Sequence, residues 1–97
     1  FLLSWITAVT WQEDVKQIDQ QIEQLQNLQD KYRWNMERNV NNAMRWQFQN
    51  QNYLDARRAW EQASQEKQKI QEIQDQIDDL EVRKKKILEE HGEEQPS

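Results

Sequence analysis

Apolar side chains recur along the chain in two series, each with alternating steps of three and four residues. The first series consists of Trp11, Val15, Ile18, Ile22, Leu25, Tyr32 and Met36. Between Leu25 and Tyr32 it has one gap of seven residues, in which Gln29 takes the seam position. The second runs Ile70, Ile73, Ile77, Leu80, Lys84, Ile87, and Ala56, Ala59 and Ala63 extend it backwards. This spacing is the a/d pattern of a coiled coil. The sequence therefore predicts an all-α fold of long helices with coiled-coil seams.

Neither Gly nor Pro interrupts residues 12–91, yet a turn is expected near their middle. The two seams differ by one residue in heptad phase, so a single coiled coil would need a register adjustment between them. Asn52 followed by Asp55 has the spacing of a helix N-cap with its N3 partner. Asn50 can adopt the left-handed conformation that ends a helix. We therefore expect a turn at 50–52 between two antiparallel arms.

The expected hairpin has arms at about 14–49 and 53–91. In each pair of seam residues expected to face one another, the two residue numbers average 49 or 49.5. The seam residues of this hairpin are Ile18, Ile22, Leu25, Ile70, Ile73, Ile77, Leu80 and Ile87. The predicted opposite pairs are Ile18 with Leu80, Ile22 with Ile77, Leu25 with Ile73, and Leu28 with Ile70. Two alternatives remain at this point: one long, nearly continuous helix, and a turn within the weak helix formers at 39–42.

The first eleven residues form an apolar segment, with eight apolar side chains and no charge before Glu13. A membrane span needs about 20 residues, so this segment could be the end of a span or a cap folded onto the helices. The membrane-proximal candidates are Phe1, Leu2, Leu3, Trp5, Ile6 and Trp11. Residues 12–91 would then form the coiled-coil region and residues 92–97 a flexible tail. The expected location is a membrane, with a cytoplasmic protein as the alternative.

Phe1 followed by Ser4 also resembles the octapeptide that remains after the first cleavage of some mitochondrial presequences. This loose similarity makes the mitochondrial inner membrane one candidate compartment.

The composition points to a partner. Only 35% of the residues are hydrophobic, and two helices bury one face each, so the core must be thin. Another copy of the chain or a different protein subunit is therefore expected to complete the structure. Although the net charge is −5, residues 31–60 carry six basic and only two acidic residues. The acidic flanks make a nucleic-acid partner less favoured than a protein.

The basic stretch 31–60 is also rich in aromatic residues, and Trp and Arg are enriched at the energetic centres of protein interfaces. Trp34 lies off the seam, and Arg38 is one helical turn further on, where it can form a cation–π contact. The predicted partner-binding residues are Tyr32, Arg33, Trp34, Arg38, Arg45, Trp46, Arg57 and Trp60.

The residues that carry catalysis are scarce. The chain has no Cys and a single His, His91, and it lacks a phosphate loop, a nucleophile elbow and a His-based triad. The sequence therefore predicts a non-catalytic protein without cofactor or metal. The favoured function is a small accessory or assembly subunit of a membrane-associated complex, with possible contact to lipid at residues 1–11. A soluble hairpin adaptor or secretion-type chaperone and an RNA-binding hairpin are the alternatives.

Overall fold

Two long helices run antiparallel in a computed structural model of the chain, which describes the backbone of residues 2–92 and the side chains of residues 11–92. Helix α1 spans Leu2–Met44 and continues as a π-helical segment, Arg45–Gln49. Helix α2 spans Tyr53–Glu90. The all-α fold and the hairpin turning at 50–52 are thus confirmed, and the continuous helix and the turn at 39–42 are wrong.

The cap at the start of α2 forms as predicted. The Asn52 side-chain oxygen accepts the backbone N–H of Asp55 at 3.3 Å, and Asn52 Nδ2 donates to Asp55 Oδ2 at 2.6 Å. The left-handed conformation, however, falls on Gln51, which has φ 52°, whereas Asn50 has φ −100°. The expectation for Asn50 is therefore wrong, and the turn is centred on Gln51.

The π-helical segment explains how α1 can end so close to this turn. The backbone N–H of Asn50 donates to the carbonyl of Arg45 at 3.1 Å, and that of Asn52 donates to the carbonyl of Trp46 at 2.7 Å. These wide loops satisfy carbonyl groups that the end of an α-helix would leave without a partner. The last turn of the first arm is wider as a result, and the chain can reverse within three residues.

The register between the arms differs from the predicted one. The rings of Trp11 and His91 stack with centroids 5.1 Å apart, and Lys84 Nζ lies 2.6 Å from Asp19 Oδ1. The predicted register would place residue 79 or 80 opposite Asp19 instead. The arms are therefore shifted by slightly more than one helical turn, because the chain reverses about Gln51 and not about residue 49.

The seam buries one apolar cluster. Ile18, Ile22, Ile73 and Ile77 form it, and partly buried side chains pack around them: Leu25, Tyr32, Leu80 and Ile87. Nearer the turn, the buried seam residues are alanines: Ala43, Ala56, Ala59 and Ala63. Alanine buries far less apolar area than isoleucine, so the isoleucine cluster supplies most of the hydrophobic stabilisation.

Gln29, and not Leu28, takes the buried seam position beside Ile70. Leu28 is 41% exposed, whereas Gln29 is only 4% exposed. Gln29 Nε2 donates to the Ile70 carbonyl at 3.1 Å and to Gln74 Oε1 at 3.0 Å. The amide N–H groups of Gln29 thus have partners inside the seam, and Leu28 lies on a flank of the hairpin.

Helix α1 continues without a break through the expected boundary at residue 11. Trp11 is buried, and its ring stacks on that of His91 at the end of α2. The side chains of Leu2, Leu3, Trp5 and Ile6, all of Phe1 and the predicted tail after Gly92 lie outside the described residues. Within the described part of the chain, no helix is long and apolar enough to span a membrane.

Ile77→Ala should lower the free energy of unfolding by about 2–5 kcal/mol, because Ile77 is at the centre of the only apolar cluster of the described seam. Val82→Ala is the matched control, since Val82 is 67% exposed on the neighbouring turn of the same helix. It should change stability by no more than about 0.5 kcal/mol. Urea denaturation followed by circular dichroism measures both, and equal effects would contradict the assigned seam.

Candidate protein-docking surface

Large apolar side chains are exposed around the turn. Phe48 is 71% exposed, Tyr53 64%, Leu54 63% and Met44 47%. They flank the turn on both sides, where the described residues provide no third element to cover them. We define these four residues, with the exposed cations Arg45 and Arg57, as the closed-end surface. None of the four apolar residues is among those predicted to bind a partner, although Phe48 and Tyr53 lie in the aromatic-rich stretch 31–60.

Two of the predicted partner-binding aromatics help to hold the closed end together. Trp60 Nε1 donates to Gln47 Oε1 at 2.9 Å, which joins α2 to the π-helical segment. Trp46 is half-buried. Both rings therefore border the closed-end surface, and part of their role is structural.

Trp34 and Arg38 form a separate exposed site on α1. Trp34 is 60% exposed, and the Arg38 guanidinium carbon lies 4.9 Å from its ring centroid, which confirms the predicted cation–π contact. Ten residues separate Trp34 from Met44, or about 15 Å along a helix. We call this pair the Trp34–Arg38 site.

The eight predicted partner-binding residues thus do not form one surface. Tyr32 packs against the isoleucine cluster of the seam, and Arg33 forms an exposed ion pair with Asp30 at 3.7 Å. Arg57 pairs with Glu61 at 3.3 Å on the surface, an interaction worth about 0.2–1 kcal/mol that leaves the guanidinium available to a partner.

A buried carboxylate, absent from the predicted site residues, lies between the helices. Glu66 is 5% exposed, and its Oε1 accepts from Asn39 Nδ2 at 2.6 Å and from Gln62 Nε2 at 3.2 Å. No donor among the described residues reaches its Oε2. The sequence does contain a signal for this burial, because Glu66 falls on the three-and-four spacing between Ala63 and Ile70. A buried carboxylate oxygen without a donor is costly and favours a cation nearby.

Two grooves open along one side of the hairpin. A polar groove of about 200 Å³ lies beside Glu66 and is lined by Asn35, Arg38, Asn39, Asn42 and Gln62. An apolar groove of about 560 Å³ is lined by Leu25, Leu28 and Leu80 with Gln21, Gln24, Gln76 and Asp79.

Both grooves lie on the same side of the molecule. Among the lining residues of α1, positions 21, 28, 35 and 42 are spaced by seven residues. Among those of α2, positions 62 and 76 are fourteen residues apart, or two such steps. Seven residues make almost two turns of helix, so such positions share a face. We call this side the groove face.

The described side chains include exposed rings, exposed apolar groups and cations. Among them, no group of three or more His, Asp or Glu residues is placed to hold a metal ion. Lys84, from the basic run 83–86, pairs with Asp19 across the seam. What the surface presents is exposed aromatic and apolar area with cations beside it, which is the chemistry of protein recognition.

Comparison with known proteins gives no match, either to a protein-family model, to a curated protein or to a solved structure.

Gln29→Leu should raise the free energy of unfolding by about 1 kcal/mol, because a buried polar side chain at a seam position costs stability. Gln74 is only half-buried and can bond to water when its partner is lost. Gln26→Leu, at an exposed position one turn earlier, is the control and should be nearly neutral. A large loss of stability in Gln29→Leu would show that the Gln29–Gln74 contact is a major source of stability.

Proposed function

We propose that the chain is a non-catalytic accessory or assembly subunit of a membrane-associated multiprotein complex. On this proposal it docks on a larger protein through the closed-end surface, with the Trp34–Arg38 site as a second contact. The observation that carries the proposal is the exposure of Phe48, Tyr53 and Leu54, each more than 60% exposed beside the turn. Several large apolar side chains exposed within a few residues of one turn are a common feature of interaction sites.

The charge around this surface indicates the chemistry of the partner. Residues 31–60 hold six basic residues against two acidic ones. A complementary partner would present an apolar pocket for an aromatic anchor, with carboxylates around its rim. The same acidic rim would also repel competing acidic proteins and favour a specific encounter.

The other end of the hairpin supports the membrane part of the proposal. Helix α1 begins at Leu2, and its first ten residues include no charged side chain. At about 1.5 Å per residue, the 43 residues of α1 span about 65 Å, with this segment at one end and the turn beyond the other. The chain could thus associate with a membrane at one end while it docks a protein at the other.

Phe48→Ala should weaken partner binding by about thirtyfold or more, because truncating a buried aromatic anchor typically costs at least about 2 kcal/mol. Trp34→Ala should weaken it as well, by losing both ring and cation–π contact. Helicity should not change in either variant, since both side chains are exposed. The tagged full chain is cross-linked and purified from its native source, and bound companions are quantified by mass spectrometry.

Val82→Ala is the matched control for these variants, because Val82 is equally exposed but lies far from the turn. Its companions should be recovered in full. Full recovery with Phe48→Ala as well would exclude the closed-end surface as the docking site. Recovery of RNA with a steep salt dependence, in place of protein, would favour the RNA-binding alternative.

Ile6→Glu should reduce flotation of the full chain with liposomes by about tenfold, because a charge replaces an apolar contact with lipid. Gln95→Glu is the control, because it adds the same charge within a stretch that is already polar. Equal flotation of both variants, or no flotation of the parent chain, would contradict the membrane part of the proposal and favour a soluble adaptor.

A further inference from the structure

Two features of the groove face each require a contact that the single hairpin does not supply. Leu28 is 41% exposed at the edge of an apolar groove of about 560 Å³. In the polar groove further along the same face, Glu66 Oε2 is buried without a donor. An occupant that brings an apolar side chain to Leu28 and a donor or cation to Glu66 would stabilise both features.

The hairpin is also electrostatically polarised along its length. The half nearer the turn, residues 31–71, carries eight basic and four acidic residues, a net charge of +4. The open half, residues 11–30 and 72–91, carries five basic and twelve acidic residues, a net charge of −7. A second copy laid antiparallel would oppose the positive half of each hairpin to the negative half of the other, whereas a parallel copy would oppose like charges.

We infer that two copies of this chain associate antiparallel through their groove faces, about a two-fold axis that passes close to Leu28. The result is a four-helix bundle in which α1 packs on α1 and α2 on α2. Leu28 is within one turn of the midpoint between Trp11 and the turn, so this axis gives the hairpins nearly full overlap. The two Leu28 side chains meet at the centre of the interface, where apolar contacts contribute most.

The same axis supplies the missing cation. Trp11 is level with His91, so Leu28 is level with residue 74 of α2. The two-fold axis then places a residue of α2 in one copy opposite the residue of the other copy that is equally far from residue 74 on its other side. The position opposite Glu66 of one copy is residue 82 of the other, and Arg83 follows it. Arg83 is seven residues beyond the groove-lining Gln76, hence on the groove face, where its long side chain can extend towards Glu66. In the same way Asp79, which lines the apolar groove, lies opposite Lys69.

The first test is the mass of the full chain by sedimentation equilibrium at about 100 µM, with circular dichroism as the check on folding. The parent chain should be a dimer that weakens as salt is raised, because its flanking contacts are ionic. Leu28→Glu should be monomeric and remain helical, since Leu28 is outside the buried seam. Val82→Glu adds the same charge on the outer side of α2 and should remain dimeric. A monomeric parent chain would overturn the inference.

A charge exchange tests the placement of the helices independently of Leu28. Asp79→Lys and Lys69→Asp should each weaken the dimer at least tenfold, because each places like charges opposite one another across the two-fold. The double variant restores opposite charges and should recover most of the lost affinity. Equal affinities for all four proteins would overturn the proposed pairing.

Direction is tested with single spin labels, which are unambiguous because the chain has no Cys. A label at Leu28→Cys should lie close to its copy across the axis. A label at Asn41→Cys should be about 40 Å from its copy, since 26 residues separate the two positions along an antiparallel pair. Short distances at both positions would indicate a parallel dimer and overturn the inference.

Discussion

Two helices can each bury only one stripe of side chains against the other, and the rest of this structure follows from that constraint. Among the described residues, the largest part of the buried apolar area belongs to one cluster of four isoleucines with a few half-buried neighbours, and Trp11 is buried near the end of α2. Alanines fill the seam near the turn, and Gln29 and Glu66 occupy two seam positions. The described residues form no second layer that could bury the remaining apolar groups. Leu28, Trp34 and Phe48 are therefore on the surface, where a partner can contact them.

The buried polar residues act on specificity more than on stability. An isoleucine seam tolerates sliding by one heptad, because its side chains are interchangeable. Gln29 bonds only where Gln74 and the Ile70 carbonyl are in reach, and Asp19 pairs only where Lys84 lies opposite. The hydrogen bond between Asn39 and Glu66 fixes the alignment of the arms in the half nearer the turn in the same way. These contacts make one alignment of the arms much more favourable than its neighbours.

Local pattern specifies the helices, the seam positions and the cap of α2, because each depends on residues within a few turns of one another. The spacing from Ile70 to Ile77 identifies the seam, Asn52 and Asp55 identify the cap, and Trp34 with Arg38 identifies the cation–π pair. The register does not follow from this information. It depends on which of three turn residues takes positive φ, and Gln51 has no stronger intrinsic preference for that region than its Asn neighbours. The Trp11–His91 stack and the burial of Trp11 depend on the register, so they could not be predicted either.

The polar contacts between the arms also have a consequence for the order of folding. Gln47 and Trp60 are 13 residues apart in sequence, Asn39 and Glu66 are 27 apart, and Gln29 and Gln74 are 45 apart. The entropy of closing a loop grows with its length, so the contact beside the turn is the least costly to form first. Once it forms, each later contact closes only the short segment that remains, and the arms can zip together from the turn outwards. Unfolding would run in the opposite direction. Of the contacts described between the arms, the stack of the Trp11 and His91 rings would therefore be the last to form and the first to break.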